Sequence, residues 1–322
     1  MRGLVTTIPR SSLRTGVTLV ELLAVIAIIG ILIALLLPAI QAVRESARRT
    51  KCQNTARQLT IAAQRFHETQ SMFPCAVDDG VLVPDVWLGW IGQLLPYCEQ
   101  GNLYKQLQTD RDQANAASLP FLTCPSDPRG KPLRRDDFDG LGPTTTTYVA
   151  ITGLDRWGQS SINDQLDLVC RPAEGIIQGR ASQGNNRPNV RLASITDGTS
   201  QTLLIGEQPP GPDVTADGMT NYWNALNQDS FLGVANTTLW RETSTSKTRF
   251  DDPGTGAACP EVAYFQPGKI ENACSLNHLW SFHPGGAYFA FADGSVRFLS
   301  YSSSQILVPL STRDGGETIS GY

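Results

Sequence analysis

Histidine is scarce in this chain, and its cysteines lack the spacing of common metal sites. Among 322 residues there are three histidines and seven cysteines, and no two cysteines form a C-x-x-C pair. Because zinc ribbons and thioredoxin-like motifs depend on such pairs, we expect neither of them here. The composition therefore predicts a protein without a metal site and without a bound cofactor.

Signatures of catalysis and of nucleic-acid binding are also missing. There is no G-x-S-x-G nucleophile elbow and no G-x-x-x-x-G-K phosphate loop, which excludes the common hydrolase and NTPase patterns. The formal net charge is −4, whereas binding to nucleic acid requires a basic face. We therefore expect no enzyme activity, no catalytic residues and no nucleic-acid partner.

A long apolar run dominates the N-terminal part of the chain instead. From Leu22 to Leu37 no charged or polar residue occurs, and one acid, Glu21, precedes the run. A helix from Val17 to Leu37 would extend roughly 31 Å at ~1.5 Å per residue, about the thickness of the hydrocarbon core of a bilayer. The run is therefore predicted to span a membrane once.

Glu21 has two compatible interpretations. Thr18 and Glu21 have the spacing of a capping box, in which the glutamate bonds back to the backbone N–H of the cap residue. Alternatively, cleavage between Gly16 and Val17 would create an α-ammonium one helical turn from Glu21, and the two opposite charges would pair. Carboxylates inside membranes are rare and usually functional, which favours a role beyond capping.

The motif around this acid resembles the processing site of type IV prepilins and pseudopilins. It consists of Gly16-Val17-Thr18-Leu19-Val20-Glu21 and the apolar run, behind a basic leader. That family usually has Phe where this chain has Val17. The resemblance implies cleavage after Gly16 by a prepilin peptidase and N-methylation of Val17. It also implies that Glu21 pairs with the amino terminus of a neighbouring subunit.

The chain divides into three predicted regions. Residues 1–16 form a leader, residues 17–70 a long helix whose first half (about 17–38) is transmembrane, and residues 71–322 an exported globular domain. Beyond Pro38, apolar residues recur at three- and four-residue steps and form a stripe: Cys52, Ala56, Leu59, Ala63 and Phe66. We predict an α+β, pilin-like fold, in which this helix packs on an antiparallel β-sheet with large loop insertions.

The C-terminal part is predicted to contain a β-hairpin. Asp293-Gly294 separates two β-rich runs, and a two-residue type I′ turn there would pair Phe291 with Val296 and Phe289 with Phe298. Strand alternation would then place these four side chains on one face, against the long helix.

The hairpin belongs to a second resemblance. His283-Pro284-Gly285-Gly286, followed by Asp293-Gly294, resembles the H-x9-DG motif of prepilin-processing-associated proteins. These form a mostly uncharacterised, planctomycete-type family, domain of unknown function 1559, whose habitual phrases also match Cys52 with Phe73-Pro74, and Cys124-Pro125-Ser126-Asp127. We interpret Asp293 as a turn residue. His283 would make a loop hydrogen bond, with Glu207 as a buried partner.

Some cysteines are expected to form disulfides, because the domain is predicted to lie outside the cytosol. Cys259 and Cys274 are the predicted pair, since they bracket a polar loop with little core of its own. Closing a loop of that size stabilises a fold by about 3 kcal/mol in the chain-entropy model. The odd number of cysteines leaves at least one free thiol in a monomer, and Cys52 is the candidate.

Together these features predict a single-pass protein of the inner membrane with a periplasmic or extracellular C-terminal domain. The expected function is that of a pilin-like or pseudopilin subunit of a secretion-type or surface filament. Its partners would be prepilin peptidase, membrane lipid and other pilin-like subunits. Two alternatives stay open. One is an anchored binding module for a glycan or small solute, with aromatic contacts from Trp157, Trp223 or Trp240. The other is a periplasmic hydrolase that depends on His283.

Overall fold

The computed structural model divides the chain into two units, one ending at Ala47 and the other beginning at Arg48. The structure describes residues 18–84, 86–133, 144–153, 175–177, 180–182, 190–211, 231–232, 265–272, 274–275 and 278–317. Several predicted features lie outside the described residues: the leader with Gly16, the processing position Val17, Cys259, and the tryptophans Trp157, Trp223 and Trp240.

One long helix, α1, runs from Leu19 to Gln70 over 52 residues and includes Pro38. It starts with the predicted capping box, because Thr18 N donates to Glu21 Oε2 (2.9 Å) and Glu21 N donates to Thr18 Oγ1 (3.3 Å). Within the described part of the chain, α1 is the one helix long and apolar enough to cross a membrane. The long helix of the sequence prediction is confirmed.

The second unit contains short helices and short strands. The further helices are α2 (Trp90–Leu94), α3 (Gly101–Thr109), α4 (Arg111–Asn115) and α5 (Leu307–Ser311). The strands are β1 (Val77–Asp79), β2 (Trp87–Gly89), β3 (Tyr148–Ile151), β4 (Arg180–Ser182), β5 (Leu203–Glu207), β6 (Phe231–Leu232), β7 (Gly286–Phe291) and β8 (Val296–Ser300).

The strands form two sheets. The larger has the order β6-β3-β5-β7-β8, and the smaller the order β2-β1-β4. In the larger sheet β3, β5, β7 and β8 pair antiparallel, whereas β6 pairs parallel with β3. The small sheet is likewise mixed, because β4 is parallel to β1. The α+β class is confirmed, and each sheet has one parallel edge strand that the sequence prediction did not contain.

In the part of the second unit that the structure describes, the core consists of two apolar clusters. All five predicted stripe residues of α1 are buried. The four beyond Cys52 belong to the larger cluster, together with α2 and the hairpin residues Ala290 and Val296. The smaller cluster joins Phe289 and Phe291 to the C-terminal helix α5. The apolar stripe therefore buries one side of α1 in the core, as its periodicity predicts.

The predicted register of the β7–β8 hairpin is wrong by one residue. Ala290 pairs with Val296, and Phe291 N donates to Ser295 O at 2.9 Å. The loop therefore has three residues, and Gly294 adopts a φ of 87°, as in a type I turn followed by a bulge. Because one residue of slip exchanges the two faces, Ala290 and Val296 face the cluster of α1, and Phe289 faces the other cluster.

Candidate functional site

Four chemically reactive side chains meet inside the second unit: Cys52, Cys124, Glu207 and His283, hereafter the buried cluster. Their relative exposures are 0%, 1%, 0% and 2%. One sulfur, nitrogen or carboxylate oxygen from each residue lies within 4.8 Å of the corresponding atoms of the other three. Such a concentration of metal-ligating atoms in a core needs an explanation, because buried polar groups are normally paired one by one.

The two cysteines reach the buried cluster from different elements. Cys52 lies on the buried stripe of α1, and its carbonyl accepts a hydrogen bond from the Tyr148 hydroxyl (3.2 Å). Cys124 lies in the turn after the 3₁₀ helix Pro120–Leu122. Its N–H donates to Thr147 Oγ1 (2.9 Å), and Ser126 N donates to its sulfur (3.4 Å). The Ser126 N–H therefore holds the sulfur of Cys124, and the Thr147 hydroxyl fixes the backbone of the same residue.

Glu207 and His283 are held by the central strands. Glu207 ends β5, and its Oε2 accepts a hydrogen bond from Tyr288 N of β7 (2.7 Å). His283 precedes β7, and its N–H donates to Ser281 Oγ (3.0 Å). That hydroxyl in turn donates to Gly286 O (2.7 Å). The side chain of Glu207 is thus oriented by strand β7, and the backbone of His283 is fixed by the segment that leads into that strand.

The contacts within the buried cluster run from one residue to the next. Cys52 Sγ lies 3.0 Å from Cys124 Sγ. Cys124 Sγ lies 3.6 Å from His283 Nε2, and that nitrogen lies 3.7 Å from Glu207 Oε1. The predicted proximity of Glu207 to His283 is confirmed, and the sequence reasoning missed the two cysteines beside them.

The electrostatic environment of the buried cluster disfavours an uncompensated negative charge. Burial raises the pKa of Glu207 to about 8, and the neighbouring Cys124 contributes to the increase, while His283 opposes it. The hydrogen bond from Cys52 lowers the pKa of Cys124, and the same bond raises the pKa of Cys52. A carboxylate and a thiolate therefore compete for the positive charge of one imidazole.

One oxygen of Glu207 is left without a donor. Among the described residues no donor meets hydrogen-bond geometry at Glu207 Oε1, although the Cys52 thiol is close enough to lower the pKa of Glu207 and Oε2 is bonded to Tyr288 N. An unsatisfied buried polar atom typically costs about 1–3 kcal/mol, and more when it is charged. The free oxygen points towards His283 Nε2, on the side where the sulfurs lie.

The H-x9-DG motif is divided between two places in the fold. His283 belongs to the buried cluster, whereas Asp293 is exposed in the hairpin loop. Asp293 Oδ1 accepts a hydrogen bond from Ser295 N (2.8 Å), and Gly294 supplies the positive φ of that loop. Asp293 and Gly294 therefore act as turn residues, as the sequence interpretation had it.

The remaining predicted positions lie apart from the buried cluster. Glu21 bonds to Thr18 at the start of α1. Cys274 is disulfide-bonded, and its pairing with Cys259 stays a prediction because Cys259 lies outside the described residues. Cys52 is not in a disulfide, and neither are Cys75, Cys98 and Cys124.

Sequence spacing could not reveal the buried cluster. Cys52 and Cys124 are 72 residues apart, and Cys124 and His283 are 159 residues apart. The prediction of no metal site rested on the lack of C-x-x-C pairs and on the small number of histidines, and neither feature detects ligands so far apart. A usable signal was nevertheless present. Three of the four residues occur in the short segments that carry the H-x9-DG family resemblance, and Glu207 ends a buried strand. Each segment brings one side chain capable of binding a metal ion.

Comparison with known proteins gives one family. The sequence model of a family described as a protein of unknown function (DUF1559) matches residues 41–305, and this range contains all four residues of the buried cluster. No curated protein and no solved structure matches the chain. Because the match extends over most of the 322 residues, the chain belongs to the DUF1559 family.

Proposed function

We propose that this protein is a pilin-like structural subunit, anchored in the inner membrane and assembled with other pilin-like subunits into a secretion-type or surface filament. The exposed apolar half of α1 carries the proposal. Every residue from Thr18 to Arg44 is exposed, including Leu35 at 71%. An apolar surface of this length requires lipid or other apolar helices around it.

The apolar half of α1 has one environment before assembly and another afterwards. Membrane lipid surrounds the apolar half of α1 in the free subunit, and neighbouring helices replace the lipid in the filament. A prepilin peptidase cleaves after Gly16, Val17 becomes the methylated amino terminus, and residues 71–322 lie on the periplasmic or extracellular side. The role is structural rather than catalytic.

Glu21 is suited to pair with a neighbouring amino terminus while it caps its own helix. Thr18 N and Thr18 Oγ1 both donate to Glu21 Oε2, at 2.9 Å and 2.8 Å. Among the described residues no donor bonds to the other oxygen, Oε1. The capping box therefore fixes the carboxylate at the first turn of α1 and leaves one oxygen for an ammonium group.

Two substitutions separate assembly from capping. Glu21→Gln keeps a capping-box side chain but removes the charge, and Thr18→Ala removes the cap side chain but keeps the charge. We expect Glu21→Gln to reduce the amount of subunit in filaments roughly tenfold, equivalent to about 1.4 kcal/mol, and Thr18→Ala to have a smaller effect. Crosslinking between differently tagged copies in membranes measures this. Equal losses in both variants would show that Glu21 acts only as a cap.

Mass spectrometry of the mature N-terminus tests the processing step independently. The expected peptide begins at Val17 and carries one additional methyl group on its amine. A mature chain that begins near Gln41 would instead identify the apolar run as an ordinary secretory signal. That result would contradict the proposal, because α1 would have lost its apolar half.

A further inference from the structure

We propose that Cys52, Cys124, Glu207 and His283 bind one zinc ion, which ties α1 to the central sheet. The four residues supply two sulfurs, one imidazole nitrogen and one carboxylate oxygen, all within 4.8 Å of one another and all buried. These are the ligand types of protein zinc sites. A site with four protein ligands and no open position is structural rather than catalytic.

The observed distances are close to the edges of a tetrahedral zinc site. With zinc–sulfur bonds of about 2.3 Å and zinc–nitrogen or zinc–oxygen bonds of about 2.0–2.1 Å, the ligand atoms are separated by about 3.8 Å (S···S), 3.5 Å (S···N) and 3.4 Å (N···O). The corresponding separations are 3.0 Å, 3.6 Å and 3.7 Å. Of these three pairs, the two sulfurs must move apart by less than about 1 Å. The other three pairs of ligand atoms lie within 4.8 Å and must draw together wherever they exceed the tetrahedral edge.

Glu207 points most directly to a bound cation. Its Oε1 is completely buried, has no donor among the described residues and is directed at the other members of the buried cluster. Oε2 is already occupied by Tyr288 N (2.7 Å). A metal ion at the centre would complete the coordination of Oε1 and supply the positive charge that one imidazole cannot supply alone.

The surroundings of the buried cluster are those of a supported metal site. Ligands are normally oriented by hydrogen bonds from groups behind them. Tyr288 N bonds to the carboxylate, Ser126 N donates to Cys124 Sγ (3.4 Å), and Ser281 Oγ holds the backbone of His283 (3.0 Å). These groups restrain the ligands of the sheet and of the Cys124 turn before any metal arrives.

The donor set favours zinc over other biological cations. Thiolates exclude magnesium and calcium, which prefer oxygen ligands. The mixture of two sulfurs with imidazole and carboxylate in a compact four-atom arrangement matches the geometry that zinc adopts in structural sites. Cys52, Cys124 and Glu207 bind in their deprotonated forms, so that coordination releases to water whatever protons these three groups carry, and His283 binds through Nε2 as a neutral ring.

The alternative to a bound zinc ion is a disulfide between Cys52 and Cys124. This bond would leave Glu207 paired with a protonated His283. A disulfide would account for the two sulfurs but would leave Glu207 Oε1 3.7 Å from its partner. The zinc site accounts for all four residues at once. The two arrangements differ in metal content and in the number of titratable thiols, so that one preparation distinguishes them.

The test uses the full chain, purified in detergent with a mild reductant and without chelators. We expect elemental analysis to find one zinc ion per chain, and at least a tenfold reduction in Cys124→Ser and His283→Asn. Cys75→Ser is the matched control, because Cys75 is equally buried at 1% exposure and is a cysteine outside the buried cluster that is not in a disulfide. Zinc that persists unchanged in both cluster variants is adventitious and would overturn the proposal.

A second measurement needs no variant that might fail to fold. The wild-type chain is stripped with a chelator and titrated with Co²⁺. We expect thiolate-to-cobalt charge-transfer bands and the intense visible bands of tetrahedral cobalt, saturating at one ion per chain and displaced by zinc. Failure of the reduced chain to take up either metal would refute the site, as would a disulfide between Cys52 and Cys124 in the chain isolated without reductant.

Discussion

The two halves of α1 show how one helix can satisfy two different surroundings. From Thr18 to Arg44 every residue is exposed, although nearly all of them are apolar. Beyond Arg48 the same helix has a buried stripe with polar residues on its other faces. The first half is apolar on all sides, and the second is apolar on one. A helix that is apolar on all sides thus predicts a membrane environment, whereas a helix that is apolar on one side predicts packing within a domain.

Replacing a leucine in each half tests this comparison most strongly. Leu59 is fully buried and Leu32 is 53% exposed. We expect Leu59→Ala to lower the free energy of unfolding of the second unit by roughly 2–5 kcal/mol, since it removes buried methyl groups and leaves a cavity. Leu32→Ala should leave that quantity unchanged. Denaturant unfolding in detergent measures both, and equal losses would disprove the contrast.

A pair of isoleucines tests the membrane environment. Ile29 lies near the middle of the apolar half, and Ile61 is exposed on the second half at 39%. We expect Ile29→Lys to disfavour membrane insertion by about 3 kcal/mol, a reduction of more than a hundredfold in the insertion equilibrium. Ile61→Lys should not affect insertion. The readout is the membrane-bound fraction after carbonate extraction, and normal insertion of the Ile29 variant would contradict the assignment.

The buried interior of the second unit should also respond to pH through His278. Burial lowers the pKa of His278 to about 4, whereas an unfolded histidine has a pKa of about 6.5. Between these values the unfolded chain binds more protons, so the free energy of unfolding should decrease as the pH falls, by roughly 3 kcal/mol in total.

His278→Phe isolates this contribution. Gln208 Nε2 donates to the backbone carbonyl of His278 (3.0 Å), and the substitution keeps that bond. We expect the variant to lose less stability than the wild type between about pH 7 and about pH 5, and denaturant unfolding at both values measures the difference. Identical pH slopes would mean that the pKa of His278 is the same in the folded and the unfolded chain, which would contradict the prediction.

Two glutamines provide the smallest contrast. Gln64 Nε2 donates to Ala292 O at 2.8 Å and so connects the second half of α1 to the hairpin, while Gln41 is exposed in the first unit. We expect Gln64→Ala to lower the free energy of unfolding by about 1 kcal/mol and Gln41→Ala to change it by less than about 0.5 kcal/mol. Differential scanning calorimetry resolves the pair, and a null result for Gln64 would show that water replaces this bond.

The features that the sequence predicts well are those encoded locally. The stripe of α1 and the capping box at Thr18 follow from residue spacing within one element. The hairpin was predicted at the right place but with the wrong loop length, because Asp293-Gly294 is compatible with both a two-residue and a three-residue loop. That choice depends on what packs against each face, which is tertiary information.

The buried cluster shows the corresponding limit for the candidate site. No spacing rule connects Cys52 with His283, since they meet only after α1, β5 and β7 have packed together. Glu207 could be suspected as a partner of His283 because it ends an apolar strand. The proximity of the two cysteines depends on the turn at Cys124, which is fixed by the Thr147 hydroxyl rather than by any local repeat.

The strand order has a consequence for how this protein is made. Strand β5 is bordered by β3 on one side and by β7 on the other, and β7 comes from the end of the chain. Until β7 has been synthesised, β5 has an open edge that can pair with a strand from another molecule. Chains that terminate before Gly286 would keep this edge open permanently. Both edges of β5 are therefore covered only in chains that include the β7–β8 hairpin.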